Sequence, residues 1–171
     1  CIRDRCLDDL NRLVPDFAAE VKDPAAALED LGDNNFFLEL KKDFAKEMVT
    51  GFISLDGMTV GCVANRTAVY GEDGSEQESF EARLTSDGCD KAASFIKTCD
   101  AFNIPVLTLT NVSGFAATMC AERSLAKAAA KLTYAFANAT VPKVNVVIGK
   151  AFGSAYVTMN SKSLGADMVY A

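Results

Sequence analysis

The chain has no histidine, and that absence restricts its chemistry more than any residue it contains. Without imidazole it can build neither a His-dependent nucleophilic triad nor a His general base, and no His completes a metal set. No C-x-x-C pair occurs among the cysteines at positions 1, 6, 62, 89, 99 and 120. Reduced, mostly buried thiols are the expectation. Long apolar runs are missing too. Nothing reaches the ~18 residues of a membrane-spanning helix, and the charged opening does not read as a signal peptide. Clusters of Lys and Arg are also absent, and the net charge is −6, which argues against a nucleic-acid-binding surface. The acidic residues are scattered, as on an ordinary soluble surface. Any catalysis must therefore come from backbone dipoles, carboxylates, hydroxyls or a partner.

What is present is enough apolar material for a core: 171 residues, 50% hydrophobic, a length that suggests one domain. Residues 6–35 are polar and interrupted by Pro15, Pro24 and Gly32, which reads as a linker with short helices near 7–13 and 24–31. Met48–Leu55 and Met58–Asn65 flank Asp56-Gly57, a two-residue turn that predicts a β-hairpin. Residues 66–86 read as a loop. Ser86 or Asp87 then caps a helix with Ala92, Phe95, Ile96, Cys99 and Phe102 at helical spacing. A β-branched strand spans 106–110, and a helix runs from about Glu122 to Asn138 with Leu125, Ala129, Leu132 and Phe136 on one face. A strand over 143–148 ends at Gly149, and another helix starts near Gly153. This alternation implies an α/β domain. The chain opens at Cys1 without Met and stops on Met168-Val169-Tyr170-Ala171, in mid-strand pattern, so a truncated sequence is expected, with residues 1–5 non-native.

Two strand-to-helix junctions could carry chemistry. One is Thr110-Asn111-Val112-Ser113-Gly114-Phe115-Ala116-Ala117; the other is Lys150-Ala151-Phe152-Gly153-Ser154-Ala155-Tyr156. Small residues let a ligand approach the backbone, and a helix N-terminus leaves N–H groups unpaired. On adjacent strands, two such junctions could aim two donors at one oxygen, an oxyanion hole. Tight helix-on-sheet packing explains the same residues. Glu39, Asp90 and Asp167 have no evident acid–base partner and read as solvated or capping groups. Phe36, Phe37, Leu38 and Phe44 read as packing, and Lys143 and Lys150 as strand-edge lysines.

Several segments, in order, resemble the acyl-CoA carboxylase carboxyltransferase family. They are Asp9-Leu10-Asn11-Arg12-Leu13-Val14-Pro15, Phe37-Leu38-Glu39-Leu40, Val49-Thr50-Gly51-Phe52 and Val60-Gly61-Cys62-Val63-Ala64-Asn65. The run continues through Asp90–Ile96, Cys99–Pro105, Ala139–Val144, Lys150–Tyr156 and Ser161–Asp167. The resemblance implies a crotonase/ClpP-like spiral of ββα units, incomplete at the C-terminus. Residues 6–40 would be the join from an absent amino-terminal acyl-CoA domain, and 41–171 the biotin-side domain. It further implies carboxyl transfer between N1-carboxybiotin, borne on a carrier protein, and the α-carbon of an acyl-CoA. Gly114 and Phe115 on one side and Gly153, Ser154 and Ala155 on the other would form the oxyanion donors, with the N–H among 114–116 undecided. Ala116, Tyr156 and Val157 would border the biotin, and no metal is implied. Implied partners are a biotin carboxyl carrier protein, a biotin carboxylase or membrane decarboxylase subunits, and further copies in a dimer-based oligomer. The implied location is the bacterial cytoplasm, at the membrane where a decarboxylase complex is the destination.

Three departures qualify the resemblance. The family's Pro-Gly-Phe is Ser113-Gly114-Phe115 here, and its longer Gly-rich loop is replaced by Ala116-Ala117-Thr118-Met119-Cys120. Val157 stands where an acyl-specificity Asp is common and where hydratase relatives carry their catalytic Glu. Valine cannot move a proton, which weighs against the alternative of a crotonase-type hydratase or isomerase. A non-catalytic assembly domain is the third reading.

Overall fold

The computed structural model describes residues 22–70 and 75–171; the short helix expected near 7–13 lies outside them. Asp56 and Gly57 both adopt positive φ, 52° and 76°, which a primed two-residue turn requires. They join β2 (Met48–Leu55) to β3 (Met58–Asn65), paired antiparallel from Met48↔Asn65 to Leu55↔Met58. Outside β2 lies β1 (Phe37–Glu39), antiparallel, and on the other side β3 runs parallel to β7 (Val106–Val112). Next come β9 (Lys143–Ala151) and β10 (Met168–Tyr170), both parallel, giving a six-stranded sheet in the order β1-β2-β3-β7-β9-β10. The expected α/β class is what forms.

Successive strand side chains point to opposite faces, so each central strand feeds two cores. Met48, Val63, Val106 and Val112 face α2 (Ser86–Ala101) and α3 (Met119–Asn138); Val49, Ile53, Cys62 and Leu109 face α1 (Pro24–Leu31). Leu28 of α1 is fully buried, and β1 extends the sheet. The short helix expected over 24–31 thus forms as α1, but it and β1 contribute to the core, where the sequence over 6–35 reads as a linker. Phe37 packs against that core, but Phe36, Leu38 and Phe44 are about half exposed rather than packed.

Helix limits follow hydroxyl caps. Thr85, not Ser86 or Asp87, caps α2: its Oγ1 accepts from Gly88 N at 3.0 Å while its own hydroxyl donates to the Glu47 carboxylate. Thr118 accepts from Ala121 N at 3.2 Å, so α3 begins at Met119, earlier than the periodicity suggests. Leu125, Ala128, Leu132 and Phe136 form its buried face; Phe102, just past α2, is 73% exposed rather than part of the stripe. The 66–86 segment is not a plain loop. It holds β4 (Ala68–Tyr70) and β5 (Glu76–Ser79), paired antiparallel, and β6 (Arg83–Leu84), which runs parallel to β8 (Gly114–Phe115). A fully exposed Glu-Gln-Glu-Ser strand has no apolar alternation by which to be found.

Buried charge ties the amino-terminal segment down. Arg66, 3% exposed, donates through Nη1 and Nη2 to the two oxygens of Glu39, each at 3.1 Å, and through Nε to Asp23 at 2.8 Å. Asp23 in turn accepts from Ala25 N at the start of α1. Lys91, 2% exposed, donates to the carbonyls of Phe44 and Ala45; burial, ahead of its charged neighbours, pulls its ammonium below the usual lysine range. Lys143 is no strand-edge cation. Its Nζ donates to the Phe136 and Ala139 carbonyls at 2.9 and 2.7 Å, closing the end of α3. The remaining acidic candidates also have structural partners: Asp90 pairs with Lys131, and Asp167 accepts from Lys143 N.

Two predictions follow from this packing. Arg66→Ala leaves two partly buried carboxylates without their cation and should cost about 2–4 kcal/mol in urea unfolding, against at most ~1 kcal/mol for Lys131→Ala in the exposed Asp90 pair. Equal losses would contradict the buried network. Burial pushes the thiols of Cys62 and Cys89 up to about 12 and that of Cys99 to about 11. At pH 8 these three should resist alkylation in the native protein and label fully after denaturation, as read by peptide mass spectrometry; fast native labelling would contradict their place in the core.

Candidate functional site

Parallel pairing of β7 with β9 puts the two small-residue junctions side by side. The register runs from Val106↔Lys143 to Thr110↔Val147, then shifts so that Val112 faces Ala151. The shift sits where a Cβ on Gly149 would come within 2.6 Å of Asn111 Oδ1, an atom that also accepts from Lys150 N at 2.9 Å. Both strands therefore run further than their sequence patterns suggest, to Val112 and Ala151. Phe152 N donates to Val112 O at 3.1 Å, fixing the exit of β9 against the exit of β7.

From there the chain turns into α4 (Gly153–Thr158). Gly153 takes φ 61°, a left-handed conformation that glycine adopts without steric cost, and this allows the helix to start directly after the strand. α1, α2 and α3 have side-chain caps from Asp23, Thr85 and Thr118; α4 has none. Its first-turn amides, Gly153, Ser154 and Ala155, thus have no side-chain acceptor. The carbonyl side is fully engaged. Thr158 Oγ1 donates to Ser154 O, Met159 N to Ala155 O and Tyr156 O, and Ser161 Oγ to Val157 O.

On the opposite side, β8 and α4 approach with Cα atoms within 8 Å. Ala116 N donates to Leu84 O at 2.9 Å, so it is engaged by β6 and drops out as an oxyanion donor. Successive amides of an extended strand point to opposite sides. Phe115 lies opposite Leu84 in the register, and with Ala116 N bonded to Leu84 O its own N–H does not join the β6 ladder. A Cβ added at Gly114 or at Gly153 would meet nothing within 4 Å, so open space lies beside both turns.

The flanks are varied. Phe152 and Val157 are 60% and 42% exposed, Tyr156 is half-buried and Ala155 is buried. Two cavities lie beside the Gly114 turn rather than over the donors. One of about 500 Å³ is bordered by Glu47, Thr85, Ala116 and Thr118, the other of about 430 Å³ by Arg83, Asn111, Ser113 and Lys150. Among the described residues no cluster of three or more Cys, Asp or Glu is arranged to hold a metal, and no helix is long and apolar enough to cross a membrane.

The structure thus brings the predicted residues of both junctions near one another, and Ala116 N, bonded to Leu84 O, leaves Gly114 and Phe115 as the remaining amides of the 114–116 turn. Sequence reasoning missed a buried polar layer beneath α4: Thr108, Thr110, Asn145 and Asn160, all fully buried. For Thr108, Thr110 and Asn145, polar residues inside otherwise apolar strands were the available signal that they are buried, though not of which partners they share; Asn160 lies outside the strands.

Residues 2–171 match a family described as the carboxyl transferase domain. The chain is 43% identical over 163 residues to a putative propionyl-CoA carboxylase beta chain of Bacillus subtilis (strain 168), covering 95% of this chain and 30% of that protein. It is 40% identical over 174 residues to the methylmalonyl-CoA decarboxylase subunit alpha of Propionigenium modestum, covering 97% of this chain and 32% of that one. Among solved structures, transcarboxylase 12S, a hexamer with hydrolysed methylmalonyl-coenzyme A bound, matches with TM-score 0.77 and 38% identity over 86% of this chain and 28% of that one. The chain spans about three tenths of the length of the curated relatives it matches.

Proposed function

Because the chain belongs to the carboxyl transferase domain family, we propose that it forms the biotin-side part of a biotin-dependent acyl-CoA carboxyltransferase. The observation that carries this reading is the uncapped first turn of α4 beside the outward amide of Phe115. Such a donor set suits an oxygen that gains negative charge during reaction and needs no imidazole.

The donors fit a ureido or thioester oxygen in size and polarity: both turns are open beside their glycines, and neither carries a competing side-chain acceptor or a carboxylate. Carboxybiotin, when bound, supplies the carboxyl group that passes to or from the α-carbon of the acyl-CoA. Ser154 and Ala155 donate backbone N–H groups to the developing oxyanion, with Gly153 setting their direction. Phe115 N–H provides the facing donor. Preorganised amides strengthen as charge builds, which lowers the barrier rather than merely tightening binding. Tyr156 and Val157 offer an apolar border, and Val157 supplies no proton-transfer group, which disfavours the hydratase reading.

The relatives' names support propionyl- or methylmalonyl-CoA as the acyl partner, and either direction of transfer. The remaining length of those relatives would provide the acyl-CoA site. The exposed Phe152 and Val157 would meet that part or a second copy in a dimer-based oligomer. A biotin carboxyl carrier protein is the required partner, with a biotin carboxylase or a membrane decarboxylase completing the cycle from the cytoplasmic side.

The test is carboxyl exchange by the full-length gene product between biotinylated carrier, or free biotin, and propionyl-CoA. Ser154→Pro, which deletes one N–H, should lower kcat about 10²-fold or more. Wild-type turnover by that variant would overturn the assignment.

A further inference from the structure

The four buried polar residues beneath α4 form a connected bar across the sheet. Thr110 Oγ1 on β7 donates to Asn145 Oδ1 on β9 at 2.7 Å, and Asn145 Nδ2 donates to Met159 O at 3.1 Å. Met159 N in turn donates to Ala155 O at 3.2 Å, reaching the first turn of α4. Immediately beyond, Asn160 takes φ 53°, a left-handed conformation that asparagine tolerates better than most residues. Its Nδ2 donates to Thr108 Oγ1 at 3.1 Å and to Val144 O at 3.4 Å, which links the end of α4 back to both strands. All of these side chains are fully buried.

Resting on the reading of α4 given above, we propose that Asn145 and Asn160 are positioning residues for the reaction, setting where the Ser154 and Ala155 amides stand relative to Phe115. The physical case is one of alternatives. Apolar side chains of similar volume would hold α4 against the sheet by area alone, leaving the orientation of its carboxyl end set only by packing. Directional hydrogen bonds at that end fix the orientation more tightly, because each bond is lost steeply with misalignment. The desolvation of two asparagines and two threonines is tolerated only because nearly all of their groups are paired; among the described residues, Asn160 Oδ1 is the one buried side-chain oxygen or nitrogen left without a partner. Donor geometry in an oxyanion hole is sensitive to displacements far smaller than a helical turn. Neither asparagine borders the open space beside Gly153, so each acts through Met159 and the helix.

The experiment compares full-length Asn145→Ala and Asn160→Gly with wild type, assembled with the biotinylated carrier, well below the thermal midpoint. Glycine accepts φ 53° without strain, so Asn160→Gly removes the amide contacts without adding backbone strain, and the stability-matched control covers the lost volume. An Ile96 variant in α2, Val or Ala, chosen to match the fall in thermal midpoint, controls for stability alone. The expected result is a fall in kcat of about tenfold or more with KM for acyl-CoA and carrier nearly unchanged, in both asparagine variants and not in the Ile96 control. Asparagine variants with wild-type kcat, or losses equal to those of the stability-matched control, would overturn the proposal. Ser154→Pro assayed alongside separates the two ideas. If it is inactive while the asparagine variants are unimpaired, only the positioning role fails; if it is fully active, the assignment of α4 itself fails.

Discussion

The parallel contact between β7 and β9 is the constraint on which the candidate site depends. Each strand ends in a turn of small residues, and neither turn by itself differs from ordinary helix-on-sheet packing. Pairing brings Val112 opposite Ala151, and the bond from Phe152 N to Val112 O then holds both exits in one frame. The register shift after Thr110 is part of this, since Asn111 fills the space that a side chain at position 149 would need. The candidate site is mostly backbone geometry, and side chains serve to fix it.

Capping shows how that geometry is divided. Where a helix only supports the core, a hydroxyl or carboxylate satisfies its first amides, as Thr85, Thr118 and Asp23 do. In α4 the balance is reversed: the carbonyl end is pinned by Thr158, Met159 and Ser161, while the amide end carries no cap. A short helix with satisfied acceptors and open donors is a fixed dipole facing open space, a suitable device for a chain without histidine.

Local signals made much of this legible in the sequence. Asp56-Gly57 announced its hairpin because both residues tolerate positive φ, and Gly114, Gly153, Ser154 and Ala155 marked the junctions because small residues there let another group approach the backbone. The family resemblance then added what the residues alone left open, the expectation that these turns face an oxyanion. What stayed hidden was set by distant pairings. Arg66 meets Glu39 and Asp23 only after the chain folds back, so residues 24–39 looked like a linker. Lys143 looked like an exposed strand-edge charge until the end of α3 arrived over it. Ala116 was a plausible donor until β6, a two-residue strand with no pattern of its own, took its N–H. Asn145 and Asn160 gave no sign in sequence that their amides were shared with Thr110 and Thr108.

The most direct test of the central claim is a crystal structure of the full-length gene product with biotin bound. The account predicts the ureido oxygen at about 3 Å from the amide nitrogen of Ser154 or Ala155, with the Phe115 amide facing the same space. Biotin seated more than ~8 Å from these amides, or amides of Ser154 and Ala155 bonded instead to the protein's own carbonyls, would contradict it.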